Sequence, residues 1–158
     1  MRHTPSFEST TKLVARALGI EAEKLLMGVR VATLSDLSAI VAFRLRHIRE
    51  QIRWDDTAYL KWRYGLGRDD FGLGDLWVFE LGDRLLGIVG AEDMGCFHAG
   101  QHMTGTRTMD ILIDESVRHT GLGIWLNQAM FRKGAFTLAV GANENSIGTV
   151  KRLFRLLP

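Results

Sequence analysis

The stretch Met109-Asp110-Ile111-Leu112-Ile113-Asp114-Glu115-Ser116-Val117-Arg118-His119-Thr120-Gly121-Leu122-Gly123-Ile124 carries most of the information about the fold. Residues 109–113 are apolar apart from Asp110, which predicts a short buried strand. After the glycines, apolar residues recur at helical spacing, at Ile124, Leu126, Ala129 and Met130. The sequence therefore predicts a strand, a glycine-rich turn and a helix, in that order.

The glycine-rich turn over 118–123 is suited to binding phosphate. The first N–H groups of a helix have no partner within the helix, and the helix dipole adds positive potential at that end. Gly121 and Gly123 permit a positive φ or a close approach of the backbone to a pyrophosphate. Arg118 and His119 can add positive charge beside the turn.

The stretch resembles the central acetyl-CoA motif of the GNAT acetyltransferase superfamily, including an acidic residue, Asp110, eight positions before Arg118. The resemblance implies acetyl-CoA as the cosubstrate. It also implies that the turn amides hold the pyrophosphate and that the strand before the turn pairs with the pantetheine arm. A splayed gap between this strand and the next, over 136–140, would admit the thioester. The residues so implicated are Ile111, Leu112, Ile113, Arg118, His119, Thr120, Gly121, Leu122, Gly123 and Ile124.

A second segment, Asn143-Glu144-Asn145-Ser146, resembles the other cofactor-contacting region of the family. The resemblance implies that Asn143 and Asn145 contact the pantetheine. In the family, a tyrosine on the following helix protonates the departing thiolate. The aromatic residue here is Phe154, which has no proton to donate, and its spacing from Asn145 is longer than usual. The role of thiolate proton donor therefore has no assigned residue.

The rest of the chain predicts elements that fit the GNAT order. The expected helices cover 8–27, 37–48, a segment ending near Gly65, and 147–157; the expected strands cover 29–32, 76–81, 84–91 and 136–140. Ser35 or Asp36 is the expected cap of the helix at 37–48. Residues 93–107 are rich in Gly, His and Thr and have no clear period, so they predict a surface loop.

The predicted fold is α/β (α+β), a mixed twisted β-sheet with helices on both faces, as in the acyl-CoA N-acyltransferases of this superfamily. Residues 1–28 are predicted to be a helical extension and residues 29–158 the GNAT-like domain. The family normally adds two strands after its final helix, whereas this sequence stops at Leu157-Pro158. The domain is therefore expected to be completed by further residues of a longer protein or by another chain, such as a second copy in a homodimer.

Composition excludes several classes of protein. A chain of 158 residues with 46% hydrophobic content predicts one domain, and a net charge of +2 without basic runs argues against binding nucleic acid. The sequence has no continuous apolar run that would serve as a signal peptide or membrane span, so no membrane association is expected. Cys96 is the only cysteine, which favours a reducing, cytoplasmic setting.

Acyl transfer to an amine requires a group that accepts the amine proton. Asp110 is the first candidate for this catalytic role because it interrupts an apolar strand beside the expected thioester. Glu92, at the end of the preceding strand, is the second candidate. Asp110 could instead cap a loop or pair with an arginine, and Glu92 could simply be a solvated residue at the end of a strand.

Three other patterns favour a structural interpretation. Cys96, His98 and His102 could meet at a metal, but the glycines around them argue against a helix and a fourth ligand is lacking, so no metal is predicted. Gly65-Leu66-Gly67 lacks the Lys-Ser/Thr pair of a phosphate-binding P-loop. The aromatic residues are predicted to pack in the core; they are Trp54, Tyr59, Trp62 and Tyr64.

The sequence predicts an N-acetyltransferase in which an amine, on a small molecule or a peptide, attacks acetyl-CoA directly. The alternative is a catalytically degenerate GNAT-like module that binds CoA or a protein partner within a larger assembly; Phe154 and the early end favour it. A nucleotide-binding module is a weaker alternative, because the sequence has neither the Lys-Ser/Thr pair nor an acidic ribose partner. The pattern does not name the acceptor, because one scaffold supports many acceptor loops.

Overall fold

A computed structural model describes residues 6–48, 57–66, 74–130, 136–139 and 147–148. Its helices are α1 (Phe7–Leu18), α2 (Ala22–Met27), α3 (Leu37–His47), α4 (Thr57–Tyr64) and α5 (Leu122–Met130). Its strands are β1 (Val29–Val31), β2 (Gly74–Leu81), β3 (Arg84–His98), β4 (Gln101–Ile113) and β5 (Thr137–Ala139). The strands form one sheet in the order β1-β2-β3-β4-β5, antiparallel except for the parallel pair β4 and β5. The predicted mixed sheet is confirmed.

Helices cover both faces of the sheet, as predicted. On one face, α3 and α4 bury Ile40, Phe43 and Leu60 against the sheet; we call this the α3/α4 face. On the other face, α1, α2 and α5 form a second core whose largest buried side chain is Trp125; we call this the α5 face. Because side chains alternate along each strand, the same strands supply both cores.

The two N-terminal helices share the second core with the sheet. Val14 of α1 and Leu25 of α2 are almost fully buried, whereas Leu13 of α1 is 61% exposed. Thr10 and Thr11 can face the core because their hydroxyls donate to the carbonyls of residues 6 and 7. Helices α1 and α2 therefore pack on the same face of the sheet as α5, and the domain boundary at residue 28 stays a prediction.

Helices α3 and α4 agree with the prediction in part. Asp36 is the N-cap residue of α3, as predicted, although its side chain makes no cap hydrogen bond to that helix. Thr33 caps the short 3₁₀ turn that leads into α3, and Asp36 closes the capping box of that turn. In α4, Tyr64 is buried as predicted, whereas Trp62 is 46% exposed. Trp54 lies outside the described residues.

The surface loop predicted over 93–107 is wrong. β3 continues to His98, turns at Ala99 and Gly100, and returns as β4, with Glu92 paired to Arg107 and His98 paired to Gln101. Both turn residues have positive φ, as a tight hairpin turn requires. Much of this extended hairpin is exposed on both faces, so its sequence lacks the apolar alternation by which a half-buried strand is recognised.

Within the residues that the structure describes, no helix is both long enough and apolar enough to cross a membrane.

Candidate functional site

The turn between β4 and α5 is a 3₁₀ helix over Glu115–Thr120 that ends at Gly121. Asp114 starts it, because Oδ1 of its side chain accepts from the Ser116 amide at 3.0 Å. Gly121 ends it with a φ of +83°, a left-handed conformation that strongly favours glycine. The Arg118 side chain folds back over the strand, and its Nε donates to the Ile113 carbonyl at 3.1 Å.

Helix α5 begins directly after this turn. Its first backbone bond runs from the Trp125 amide to the Gly121 carbonyl, at 3.1 Å, so the amides of Gly123 and Ile124 precede the first amide that donates within the helix. A Cβ added at Gly123 would lie 3.3 Å from Cγ1 of Ile113. Gly123 thus lets the start of the helix pack closely on the end of β4, and it does not have the positive φ of Gly121.

Helix α1 packs along the start of α5. The buried Trp125 indole donates from Nε1 to Oγ1 of Thr11 at 2.8 Å, and the Phe7 ring stacks on Trp125 with centroids 5.9 Å apart. Val14 lies opposite Gly121, where an added Cβ would be 3.6 Å from its Cγ2. The sequence indicated no such contact, because residues 11 and 125 are far apart and a threonine on a helix gives no tertiary signal.

The edge of β4 that faces β5 is paired with the described part of β5 over only part of its length. The described part of β5 pairs with β4 at Thr106, Arg107 and Thr108, and this pairing ends with Thr108 opposite Ala139. Residues 109–113 of β4 therefore have no partner in the described part of β5. Residues 109–113 are followed directly by the turn that ends at Gly121, so this edge of β4 and the turn are adjacent.

Asp110 sits at an irregularity in β4. The register with β3 passes from Gly90 opposite Met109 to Ile88 opposite Leu112, so β4 holds one residue more than β3 across this interval. Asp110 itself has a φ of +50°, a region that aspartate adopts more readily than most residues. This is a β-bulge, and bulges re-aim side chains. As a result, Met109 and Asp110, although consecutive, both meet α4 on the α3/α4 face.

Tyr64 and Arg44 are the polar neighbours of Asp110. The hydroxyl of Tyr64 donates to Oδ2 of Asp110, and Nη2 of Arg44 lies 3.9 Å from Oδ1. Burial, and then the adjacent Asp110 carboxylate, raise the pKa of the Tyr64 hydroxyl well above its ordinary value. The side chain of Arg44 is only 2% exposed, and burial lowers its pKa, while Asp110 opposes that shift. The result is a buried cluster of one carboxylate, one guanidinium and one hydroxyl.

Glu92 lies in a different environment on the same face. Arg63 of α4 donates to its Oε1, and Arg107 of β4 donates to its Oε2, from Nε at 2.9 Å and also from Nη2. Burial alone would lower the pKa of Arg63, but Glu92 beside it raises that pKa above the ordinary value. Both oxygens of Glu92 are thus held by guanidinium groups, and Glu92 joins α4 to the β3–β4 hairpin.

No protein-family model matches the chain, and no curated protein matches its sequence significantly. The fold, in contrast, is similar to that of several solved structures. An aminoglycoside antibiotic 6'-N-acetyltransferase from Acinetobacter haemolyticus has a TM-score of 0.60 at 11% identity, over 82% of this chain and 92% of that one. A GCN5-related N-acetyltransferase from Ralstonia eutropha has a TM-score of 0.59 at 20% identity, over 82% and 92%. A predicted acetyltransferase from Clostridium acetobutylicum, crystallised with acetyl-CoA, has a TM-score of 0.58 at 18% identity, over 82% and 90%.

The chain has the GNAT acetyltransferase fold. The predicted fold class and the predicted superfamily resemblance are confirmed at the level of fold. In this GNAT fold, β4, the turn at Gly121 and α5 form the strand, turn and helix predicted from the sequence.

The structure brings some of the predicted site residues together and keeps others apart. The side chains of Ile113 and Leu122 are buried, so only their backbone is available to a ligand, whereas Arg118 and His119 are exposed. Asp110 and Glu92 both lie on the α3/α4 face but in separate clusters. Asn143, Asn145 and Phe154 lie outside the described residues, and their roles stay predictions.

The sequence did not identify the neighbours of the two carboxylates. Tyr64 and Asp110 are 46 positions apart, and a helix that reads as Tyr-Leu-Lys-Trp-Arg-Tyr gives no sign of which tyrosine is buried. The three residues Cys96, His98 and His102 do not converge. His102 lies against Phe97 and Gly95, whereas residues 96 and 98 point to the opposite side of the hairpin. Among the described residues, no cluster of potential metal ligands occurs.

Proposed function

We propose that this chain transfers the acetyl group of acetyl-CoA to an amine. One observation carries the proposal: a single strand, β4, presents a carboxylate through the bulge at Asp110 and then runs into a left-handed glycine turn at the start of α5. A phosphate-binding helix start and a buried carboxylate are the two features that binding the cosubstrate and accepting a proton require. The similar folds named above belong to acetyltransferases, which supports the same proposal.

The residues fit acetyl-CoA. The amides at the start of α5, at Gly123 and Ile124, suit a pyrophosphate, and the edge of β4 over 111–113 suits the amide-bearing pantetheine arm. Asn143 and Asn145 are further proposed contacts, carried over from the sequence resemblance. When bound, acetyl-CoA supplies the thioester carbonyl that the amine attacks.

Asp110 is the better proposed proton acceptor of the two carboxylates. Both oxygens of Glu92 already accept charge-assisted hydrogen bonds from Arg63 and Arg107, so a proton on either oxygen would displace at least one of these bonds. Asp110 accepts one hydrogen bond at Oδ2, and its nearest charge at Oδ1 is 3.9 Å away. We therefore assign the amine proton to Asp110, and we assign Glu92 the role of joining α4 to the hairpin.

The first test measures binding and turnover separately. The purified chain is titrated with acetyl-CoA and with CoA by calorimetry, and thiol release is then followed over a panel of small amines and peptides. Binding with turnover supports the acetyltransferase. Binding without turnover supports the degenerate module, and the absence of both removes the proposal.

Gly121→Glu tests the location of the cosubstrate. A carboxylate at this position would repel the pyrophosphate and would also strain a backbone with a φ of +83°. Binding of CoA is expected to be lost while circular dichroism shows a folded chain. Gly100→Glu is the matched control, because Gly100 has a φ of +78° and open space around it but lies at the far end of β4. A folded Gly121→Glu variant with unchanged affinity would place the cosubstrate elsewhere.

A further inference from the structure

Tyr64 is the last residue of α4, it is 5% exposed, and its hydroxyl ends on the Asp110 carboxylate. A buried tyrosine hydroxyl needs a hydrogen-bond partner, and an ionised carboxylate is a strong acceptor. The bulge turns Asp110 towards α4, so the contact depends on the irregular part of β4 and on the end of a helix 46 positions earlier.

Gly90 makes room for this hydroxyl. A Cβ at residue 90 would lie 2.9 Å from Cε1 of Tyr64 and closer still to the hydroxyl oxygen. Gly90 pairs with Met109 across the sheet, directly beside the bulge. Because residue 90 of β3 has no side chain, the Tyr64 ring has room to place its hydroxyl at Asp110.

Other charged groups surround the pair. Arg44 of α3 lies 3.9 Å from Oδ1 of Asp110. Arg63 of α4 adjoins Tyr64, and its guanidinium is bound to Glu92 of β3, which also holds Arg107 of β4. The negative charge of Glu92 partly balances the positive charges of Arg63 and Arg107. The negative charge of Asp110 balances that of Arg44. Tyr64 donates the hydrogen bond that reaches Asp110 itself.

We propose that Tyr64 is the positioning residue of the site, holding the Asp110 carboxylate in the orientation that accepts the proton of the amine. This inference rests on the proposed function. The tyrosine acts by donating to Oδ2 of Asp110, and this hydrogen bond fixes the direction in which the carboxylate points. Since burial and Asp110 raise the pKa of Tyr64, its hydroxyl stays protonated and remains a donor throughout the neutral range.

The test compares Tyr64→Phe with the parent chain. The ring and its packing are kept and only the donor is lost. The kcat for acetyl transfer is expected to fall by about 10-fold to 100-fold, the size of one hydrogen bond to a charged group. The KM for acetyl-CoA is expected to stay the same. Tyr59→Phe is the matched control, since it removes a hydroxyl from the same helix that bonds Arg63 and not Asp110; its kcat should equal that of the parent chain.

A second measurement does not depend on turnover. The carbon-13 chemical shift of the Asp110 side-chain carboxyl is measured at neutral pH in the unliganded chain, and it is expected to change in Tyr64→Phe. Gly90→Ala, which keeps Tyr64 but displaces its hydroxyl, is expected to change it in the same direction. An unchanged chemical shift in both variants overturns the inference. A changed chemical shift in a chain that transfers no acetyl group retains the Tyr64–Asp110 pair and rejects the proposed function instead.

Discussion

Asp110 is the side chain on which the proposed reaction depends most directly. Asp110→Asn keeps the size of the side chain and an acceptor for Tyr64, but it removes the group that takes up the proton. We expect the rate of thiol release at neutral pH to fall by about 100-fold to 10,000-fold. The affinity for CoA should be unchanged, because the turn at Gly121 is untouched. Steady-state kinetics and calorimetry on the same preparation measure both quantities.

Asp93→Asn serves as its control. Asp93 lies on β3 close to the same cluster, but its side chain is exposed, so its rate should equal that of the parent. If Asp110→Asn also kept the parental rate with every active acceptor, Asp110 would have no part in the mechanism.

The candidacy of Asp110 could be predicted from the sequence, but the direction of its side chain could not. A carboxylate in an otherwise apolar strand is recognisable because burying a charge without a partner is costly. Its identity as a candidate was therefore evident from residues 109–113. The direction in which it points was not, because the bulge that re-aims it arises from the register of two strands.

One buried hydrogen bond, from the Trp125 indole to Thr11, joins helix α1 to α5. Thr11→Val keeps the volume of the side chain but leaves the Trp125 indole N–H buried without its acceptor. We expect the free energy of unfolding to fall by about 1 to 3 kcal/mol. Urea denaturation measures the loss. Ser9→Ala, an exposed position on the same helix, should change the unfolding free energy by less than about 0.5 kcal/mol.

A double-mutant cycle separates this hydrogen bond from general packing. In a Trp125→Phe background the indole donor is gone, so Thr11→Val should cost much less than it does in the parent chain. Equal costs in the two backgrounds would mean that the bond between Thr11 and Trp125 contributes nothing. The docking of α1 would then rest on its apolar contacts, such as those of Phe7 and Val14.

In the molecule as a whole, β5 is the exposed flank of the described sheet. It pairs with β4 on one side, and among the described strands none lies on its other side. Residues 137–139 carry no charge or proline that would discourage further pairing, and Leu138 is 37% exposed. Helix α1 does not cover this edge, since it packs against α5.

We expect a second copy of the chain, or further residues, to cover β5. Light scattering should then show a dimer, or hydrogen exchange should show slow exchange at residues 137–139. Dilution distinguishes the two, because protection by a second copy weakens as the dimer dissociates. A stable monomer with fast exchange at these residues would show that the edge is tolerated open.

The secondary-structure elements that depend on neighbouring residues were predictable from the sequence. The strand over 109–113, the glycine turn and α5 were predictable because apolar periodicity and glycine placement depend on neighbours a few positions apart. The same holds for the start of α3, for the end of β2 at Leu81 and for the start of β3 at Arg84. The arrangement of these elements in one sheet was expected from the resemblance to the GNAT superfamily.

Contacts between distant segments were settled by packing. The hairpin over 93–107 forms a sheet because β3 and β4 pair along their whole length, whatever the polarity of their side chains. The Tyr64–Asp110 and Thr11–Trp125 contacts join residues 46 and 114 positions apart, which no local pattern encodes. Side-chain chemistry in a sequence names the groups that can bind or react, whereas the distances between them exist only once the chain has folded.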